Sequence, residues 1–186
     1  MVIGPGLGTG DAARAHIAHA LTLPIPLLID ADALTVIARD AALAAAVIAR
    51  AAPTVLTPHP AEAARLSATT VAAIQSDRLG AALSLSAAMK ATVVLKGAGS
   101  VVAYADGRFA INRSGNAALA SAGTGDVLSG MIGALLAQGV PHEVSVALGV
   151  CLHGAAADVL VAEGVGPLGV TASELAPIAR RLINLR

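Results

Sequence analysis

Short apolar runs alternate with helix-patterned segments along most of this chain, and that alternation limits the folds it can adopt. Val2-Ile3, Ile25 to Ile29, Thr54 to Leu56 and Thr92 to Leu95 are brief apolar or β-branched runs. Between them, Asp11 to Leu21, Asp32 to Arg39, Asp40 to Ala49, Ala61 to Leu66 and Asp77 to Lys90 carry helical patterning. Strands without polar alternation are buried on both faces, and strands separated by helices pair in parallel through crossovers. The chain is therefore predicted to be α/β, with a mostly parallel central sheet flanked by helices on both faces. Val101 to Tyr104 and Arg108 to Asn112 flank Ala105-Asp106-Gly107, a hairpin signal that adds a mixed edge. After Asp126 helices dominate: Val127 to Gln138, His142 to Val161 and Thr171 to Leu182. The 186 residues suffice for one domain with a sizeable core.

In open sheets of this kind, ligands sit beyond the carboxyl ends of the strands. Asp30, Asp32, Thr57, His59, Lys96, Gly97 and Asn112 all fall there. Gly4-Pro5-Gly6-Leu7-Gly8-Thr9-Gly10 follows the first strand and lets backbone approach a ligand, or forms a tight turn capped by Asp11. It is not the dinucleotide fingerprint, whose third glycine would fall at Thr9. Asp30-Ala31-Asp32 offers two carboxylates, as water-mediated magnesium ligands and hydroxyl acceptors, or as one helix cap and one structural acceptor. His59 stands between Pro58 and Pro60, which hold it in one direction and suit a substrate contact. Glu62, three residues on, completes the turn or orients a water. Lys96-Gly97-Ala98-Gly99-Ser100 follows a strand and suits the phosphates or ribose of a nucleotide, the alternative being a Gly-rich hairpin turn with a solvated lysine.

The run from Ser114 to Gly130 is the most informative. It is a loop of small residues that ends in Gly123-Thr124-Gly125-Asp126 and opens an apolar helix. A helix's first turn leaves N–H groups unpaired and carries partial positive charge, so it favours a phosphate or a developing anion. An acid beside such a hole can take a proton from a hydroxyl while the N–H groups hold a transferring phosphoryl group. The other reading of Asp126 is a simple helix cap.

Composition removes several function classes. Net charge is zero, there is no Trp, and Tyr104 and Phe109 stand alone, so there is neither a basic patch nor an aromatic platform for nucleic acid. No run has the roughly 18 charge-free apolar residues of a membrane span. The N-terminal residues show no signal-peptide pattern. The single cysteine, Cys151, suits a reducing cytoplasm and reads as a small buried apolar residue. His16, His19, His142 and His153 have no convergent metal spacing and read as surface or satisfied core histidines.

Taken in order, Gly4 to Gly8, Asp30 to Leu34, Leu56 to Glu62, Val93 to Gly99, Asn116 to Gly130 and Gly169 to Leu175 resemble the ADP/ATP-dependent NAD(P)H-hydrate dehydratase family, whose fold is ribokinase-like. The resemblance runs over residues 1–186 as a single domain. The strand, Gly-Gly turn and helix with which family domains normally open have no counterpart ahead of Gly4, so it implies a domain shortened at its N-terminus. It further implies repair of the S form of hydrated NADH or NADPH, by phosphorylation of the ring hydroxyl from ADP or ATP and loss of phosphate. Asp126 would be the base, and Gly123, Thr124 and Gly125 would hold the phosphoryl group through their amides. Gly6, His59, Asn116 and Asp126 match substrate-binding positions, and Lys96, Gly97, Ala98, Gly99, Ser100 and Gly125 match the adenine-nucleotide site. Mg²⁺ would bind mostly through phosphates and water. A homo-oligomer, functional coupling to an NAD(P)H-hydrate epimerase and a cytoplasmic location are also implied, with no nucleic-acid or membrane partner. Ala122 stands where the family usually has glycine, and alanine there would strain a backbone with positive φ. Two rival readings are a small-molecule alcohol kinase of the ribokinase superfamily and a non-catalytic nucleotide-binding remnant.

Overall fold

The computed structural model describes residues 1–184. Its contacts divide into two compact units: Met1–Gly97 with Val101–Ile111, and Ala98–Ser100 with the chain from Asn112 onward.

The first unit contains the whole sheet. Its strands are β1 (Val2–Ile3), β2 (Leu27–Ile29), β3 (Thr54–Leu56), β4 (Thr92–Leu95), β5 (Val101–Ala103) and β6 (Phe109–Ile111), hydrogen-bonded in that sequential order. β1 to β4 run parallel, with Leu28 opposite Val2 and Val55, and Leu56 opposite Val93. β5 and β6 return antiparallel, which is the mixed edge that the hairpin signal predicted. The crossovers carry α1 (Asp11–Thr22), α2 (Ala31–Ile37), α3 (Ala41–Ile48), α4 (Pro60–Leu66), α5 (Val71–Ser76) and α6 (Arg78–Met89). The sequence pattern assigns no element to 67–76. There α5 forms because the Thr70 hydroxyl accepts the amide of Ala73, a cap that supports one and a half turns.

The core of this unit follows from strand period. Leu27, Ile29, Leu56, Val93, Leu95, Val101 and Ala103 share one sheet face and pack against Ile17, Leu34, Val47, Ala63 and Leu85 of the helices. Leu28, Val55, Val94 and Val102 point the other way and are equally buried, as strands without polar alternation should be. Gly4 ends β1 with φ +131°, and a Cβ there would lie 1.7 Å from the carbonyl oxygen of Asp30. Only glycine lets the first two parallel strands end side by side.

The second unit is helical: a 3₁₀ turn (Ala117–Ala120), α7 (Thr124–Ala137), α8 (His142–Ala162) and α9 (Ala172–Ile183). Ala118, Ala156, Ala157, Leu160, Val170, Leu175 and Ala179 form its small-residue core. α7 and α8 approach closely because Gly149 has no side chain; a Cβ there would fall 2.6 Å from the side chain of Ile132. α8 has the length and composition of a membrane span, yet half of that stretch is buried inside the protein. Cys151 was expected to be buried and is instead exposed. Val150, His153 and Gly154 take the packed face of α8, and Cys151 lies about 100° round from Val150.

Candidate functional site

In the first unit the strand ends bring together four charged or titratable side chains. Asp30, fully buried, follows β2 and caps α2, accepting the amide of Ala31 at 2.9 Å. Lys96 follows β4, and its Nζ donates to Asp30 Oδ1 at 2.7 Å. Glu62, also buried, lies 4.0 Å from the same ammonium. His59 caps α4: its Nδ1 accepts the amides of Ala61 at 3.1 Å and Glu62 at 3.4 Å, and Glu62 Oε2 accepts its backbone amide at 2.8 Å. An Nδ1 that accepts leaves the ring proton on Nε2, which faces Glu62 Oε1 at 3.3 Å. His59 is therefore aimed, as its two prolines suggested, and the aiming is completed by a capping box. Its side chain remains 47% exposed, so the ring offers an outer face.

The lysine is not a solvated hairpin residue. Its side chain is 18% exposed and pairs with a carboxylate that has no exposed surface. The Lys96 amide also donates to the carbonyl of Pro58 at 2.9 Å, tying the end of β4 to the His59 turn. Arg78, at the start of α6, was not singled out by sequence, and nothing in its neighbourhood marks it. Its guanidinium donates to the carbonyls of Leu95 and Lys96 at 3.2 and 3.4 Å, and a Cβ on Gly97 (φ +146°) would strike it at 2.9 Å. Burial lowers the pKa of Arg78 from its usual value. Gly6 has φ +66° with open space where a Cβ would point, inside a turn closed by Leu7 N–H to Gly4 carbonyl. Asp32 accepts the amide of Gly8 at 2.8 Å. Asp30 and Asp32 thus behave as a cap and a structural acceptor, the plainer of the two readings for that pair. No group of three His, Cys, Asp or Glu able to hold a metal occurs among the described residues.

In the second unit, Ala98–Ser100 lie beside Asn112, whose amide donates to the Ser100 carbonyl at 2.9 Å. The Asn112 side chain in turn holds Ser114 through its carbonyl at 2.9 Å and its hydroxyl at 2.9 Å. Asn116 uses both ends of its amide group: Oδ1 caps the 3₁₀ turn through Ala118, and Nδ2 donates to Asp158 Oδ1 at 2.9 Å. Asp158 Oδ2 accepts the amide of Gly115 at 2.8 Å.

The loop then enters α7 three residues earlier than the apolar pattern suggested, because Gly123 takes φ +81° and serves as the N-cap. Ala122 is not among the described residues with positive φ, so its alanine carries no left-handed strain; Gly123 takes that conformation instead. No side chain caps α7, so the first-turn amides of Thr124, Gly125 and Asp126 have no intrahelical partner. Asp126 is the third helical residue, exposed, and does not cap the helix. Thr124 turns inward: its buried hydroxyl meets the carbonyls of Leu119 and Ser121 at 2.8 and 2.9 Å, fixing the loop and leaving only its amide for a ligand. Buried His153, on α8, reaches the Thr124 carbonyl at 2.8 Å. The arrangement can receive an anion on backbone N–H groups with a carboxylate beside it.

Residues 1–181 match the sequence profile of a family described as NAD(P)H-hydrate dehydratase. An ADP-dependent (S)-NAD(P)H-hydrate dehydratase from Neisseria meningitidis is 50% identical over 98% of this chain, which spans 62% of that relative's length. Among solved structures, the ADP/ATP-dependent NAD(P)H-hydrate dehydratase from Bacillus subtilis, co-crystallised with ATP and Mg²⁺, superposes with a TM-score of 0.86 at 34% identity. The match covers 98% of this chain and 64% of that one. A ribokinase-like superfamily protein from Enterococcus faecalis superposes with a TM-score of 0.81 at 27% identity, covering 98% of this chain and 62% of the other. The fold is accordingly ribokinase-like.

Proposed function

The chain belongs to the NAD(P)H-hydrate dehydratase family, and on that premise we propose that it carries out ADP- or ATP-dependent dehydration of the S form of hydrated NADH or NADPH. The observation that carries this reading is the uncapped first turn of α7, where free amides and the Asp126 carboxylate stand on consecutive residues.

In this reading Asp126 takes the proton of the ring hydroxyl as its oxygen bonds to the terminal phosphorus of the nucleotide. The amides of Gly123, Thr124 and Gly125 hold the phosphoryl oxygens as charge develops on them. The carbon–oxygen bond then breaks, phosphate leaves with the electron pair, and the adjacent ring carbon gives up a proton as the double bond reforms. A positioned base contributes roughly 10²- to 10⁴-fold to such a step. In the first unit, Gly6 and His59 are proposed to receive the nicotinamide nucleotide, with Gly6 giving close backbone approach and His59 its exposed ring face. Asn116 is proposed to serve the substrate by shaping its loop, since both ends of its side chain are engaged within the protein. For the adenine nucleotide we propose Lys96 and Gly97 of the first unit and Ala98, Gly99, Ser100 and Gly125 of the second, each taken by itself as a position matching the family's nucleotide-binding residues. Magnesium, when bound, would neutralise phosphate charge, and an ion that keeps much of its hydration shell would be held mostly by phosphate oxygens and water. We propose a cytoplasmic location for the reaction.

The test is a product count. Hydrated NADH, Mg²⁺ and either ADP or ATP are mixed with the protein, and NADH recovered is compared with phosphate released. Equal amounts support the dehydratase. Nucleotide consumed on a simple alcohol, with no NADH recovered, supports the alcohol kinase. ATP binding without turnover supports the non-catalytic remnant.

A further inference from the structure

His153 is a buried, titratable residue in the middle of an apolar helix, and the mechanism above gives it no part. Its Nε2 lies 2.8 Å from the carbonyl oxygen of Thr124. A carbonyl only accepts, so Nε2 carries the proton and donates. That oxygen belongs to the peptide unit whose N–H is the amide of Gly125. Because the peptide is planar, holding the oxygen fixes the direction in which the Gly125 N–H points. A hydrogen bond to the carbonyl also polarises the same unit and makes its N–H a stronger donor.

We propose that His153 is a positioning residue that aims and polarises the Gly125 amide toward the phosphoryl group. The inference rests on the reading of the Gly123–Asp126 turn as the phosphoryl cradle. Two further observations place His153 in a dedicated scaffold. The Thr124 hydroxyl anchors the same residue to the carbonyls of Leu119 and Ser121, so the turn is held from both sides of one peptide. The neighbouring positions on α8 hold the earlier part of the loop: the Ser114 hydroxyl donates to the Cys151 carbonyl at 2.9 Å, and a Cβ on Gly154 would strike Ser114 Oγ at 2.3 Å. Asp158, one turn on, holds Gly115 and Asn116. One stretch of α8 thus sets the loop from Ser114 to Asn116 and the first peptide of α7.

The experiment compares His153→Leu, which fills the volume without a donor, with His153→Gln, whose side-chain amide nitrogen can reach the same carbonyl. Val146→Ala, a buried change on the same helix away from the turn, controls for lost packing. Steady-state kinetics are read with the amide ¹⁵N resonance of Gly125, which responds to a bond at its own peptide carbonyl whether or not the protein turns over. The expected result is that His153→Leu lowers kcat about tenfold, less than outright loss of such a donor. KM for hydrated NADH stays unchanged, and the Gly125 resonance moves. His153→Gln restores most of kcat and returns the resonance, while Val146→Ala moves neither. The inference is overturned if His153→Leu and Val146→Ala alter kcat and the resonance alike, or if His153→Gln fails to recover either. A parent protein without dehydratase activity, whose Gly125 resonance still follows this pattern, would remove the proposed function and leave the His153 bond standing.

Discussion

Removing the Lys96 ammonium, as in Lys96→Met, should destabilise the first unit by taking the paired cation away from a buried carboxylate. Asp30 is fully buried and Lys96 Nζ sits 2.7 Å from its Oδ1. Without the lysine, Asp30 keeps the amide of Ala31 but loses its cationic partner. Breaking a buried ion pair from one side typically costs about 3–5 kcal/mol. The lysine side chain is 18% exposed, which lets some water reach the gap, so the loss should fall near the lower end, about 3 kcal/mol. For a chain of this length that lowers Tm by about 6–12 °C. Asp30→Asn should cost less, since the freed ammonium is partly solvated and has Glu62 4.0 Å away. The double variant should recover much of the loss, giving a coupling energy of about 2 kcal/mol. Urea unfolding followed by circular dichroism measures all four corners of the cycle. A Lys96→Met cost below about 1 kcal/mol, the range of surface pairs, with additive single effects, would refute the reasoning.

Three other outcomes follow from the geometry. Gly4→Ala should be among the most damaging single-methyl changes, because its Cβ would lie 1.7 Å from the Asp30 carbonyl oxygen; a loss below about 1 kcal/mol in the same urea assay would mean that β1 detaches freely. Asp126→Asn should leave Tm within about 2–4 °C, since the residue makes no capping bond and loses only its interaction with the helix dipole, about 0.3–1 kcal/mol; a larger drop would make it a structural residue. The Asp40 carboxyl is held below its usual pKa by the backbone amide of Leu43 and then by Arg14. A depressed carboxyl stabilises the fold above the unfolded value and loses that contribution as pH falls through the folded one. The stability gap between the parent and Asp40→Asn should therefore be constant at neutral pH and close below about pH 4, and a gap that persists in acid would contradict the assignment.

Much of this fold could be read from the sequence because its strands need no partner to be recognised. Thr54 to Leu56 and Thr92 to Leu95 are short apolar runs set off by prolines, glycines and helical segments, and burial on both faces requires that pattern. Strand ends are legible for the same reason, so the sequence alone places Asp30, His59 and Lys96 at the carboxyl ends of neighbouring strands. What those residues do there was less visible. The Asp30–Lys96 pair links positions 66 residues apart, and no local pattern encodes it. His59 looked aimed by its prolines, but its role as a helix cap depends on Glu62 folding back on it. The apolar pattern marks α7 only from Val127, because Thr124-Gly125-Asp126 lacks the periodicity of a helix; the φ of Gly123 sets the boundary instead. His153 and Arg78 act on backbone carbonyls, and a carbonyl leaves no trace in sequence.

The most direct test of the central claim pairs the parent protein with Asp126→Asn in one absorbance measurement. Each is given hydrated NADH, Mg²⁺ and ADP or ATP, and reduced-nicotinamide absorbance is followed over time, with Tm measured on the same samples. The account predicts a steady rise for the parent and a rate at least about a hundredfold lower for the equally stable variant. A parent that is folded and binds nucleotide yet gives no rise, or a variant that matches it, would contradict the assignment of Asp126 as the base of a hydrate dehydratase.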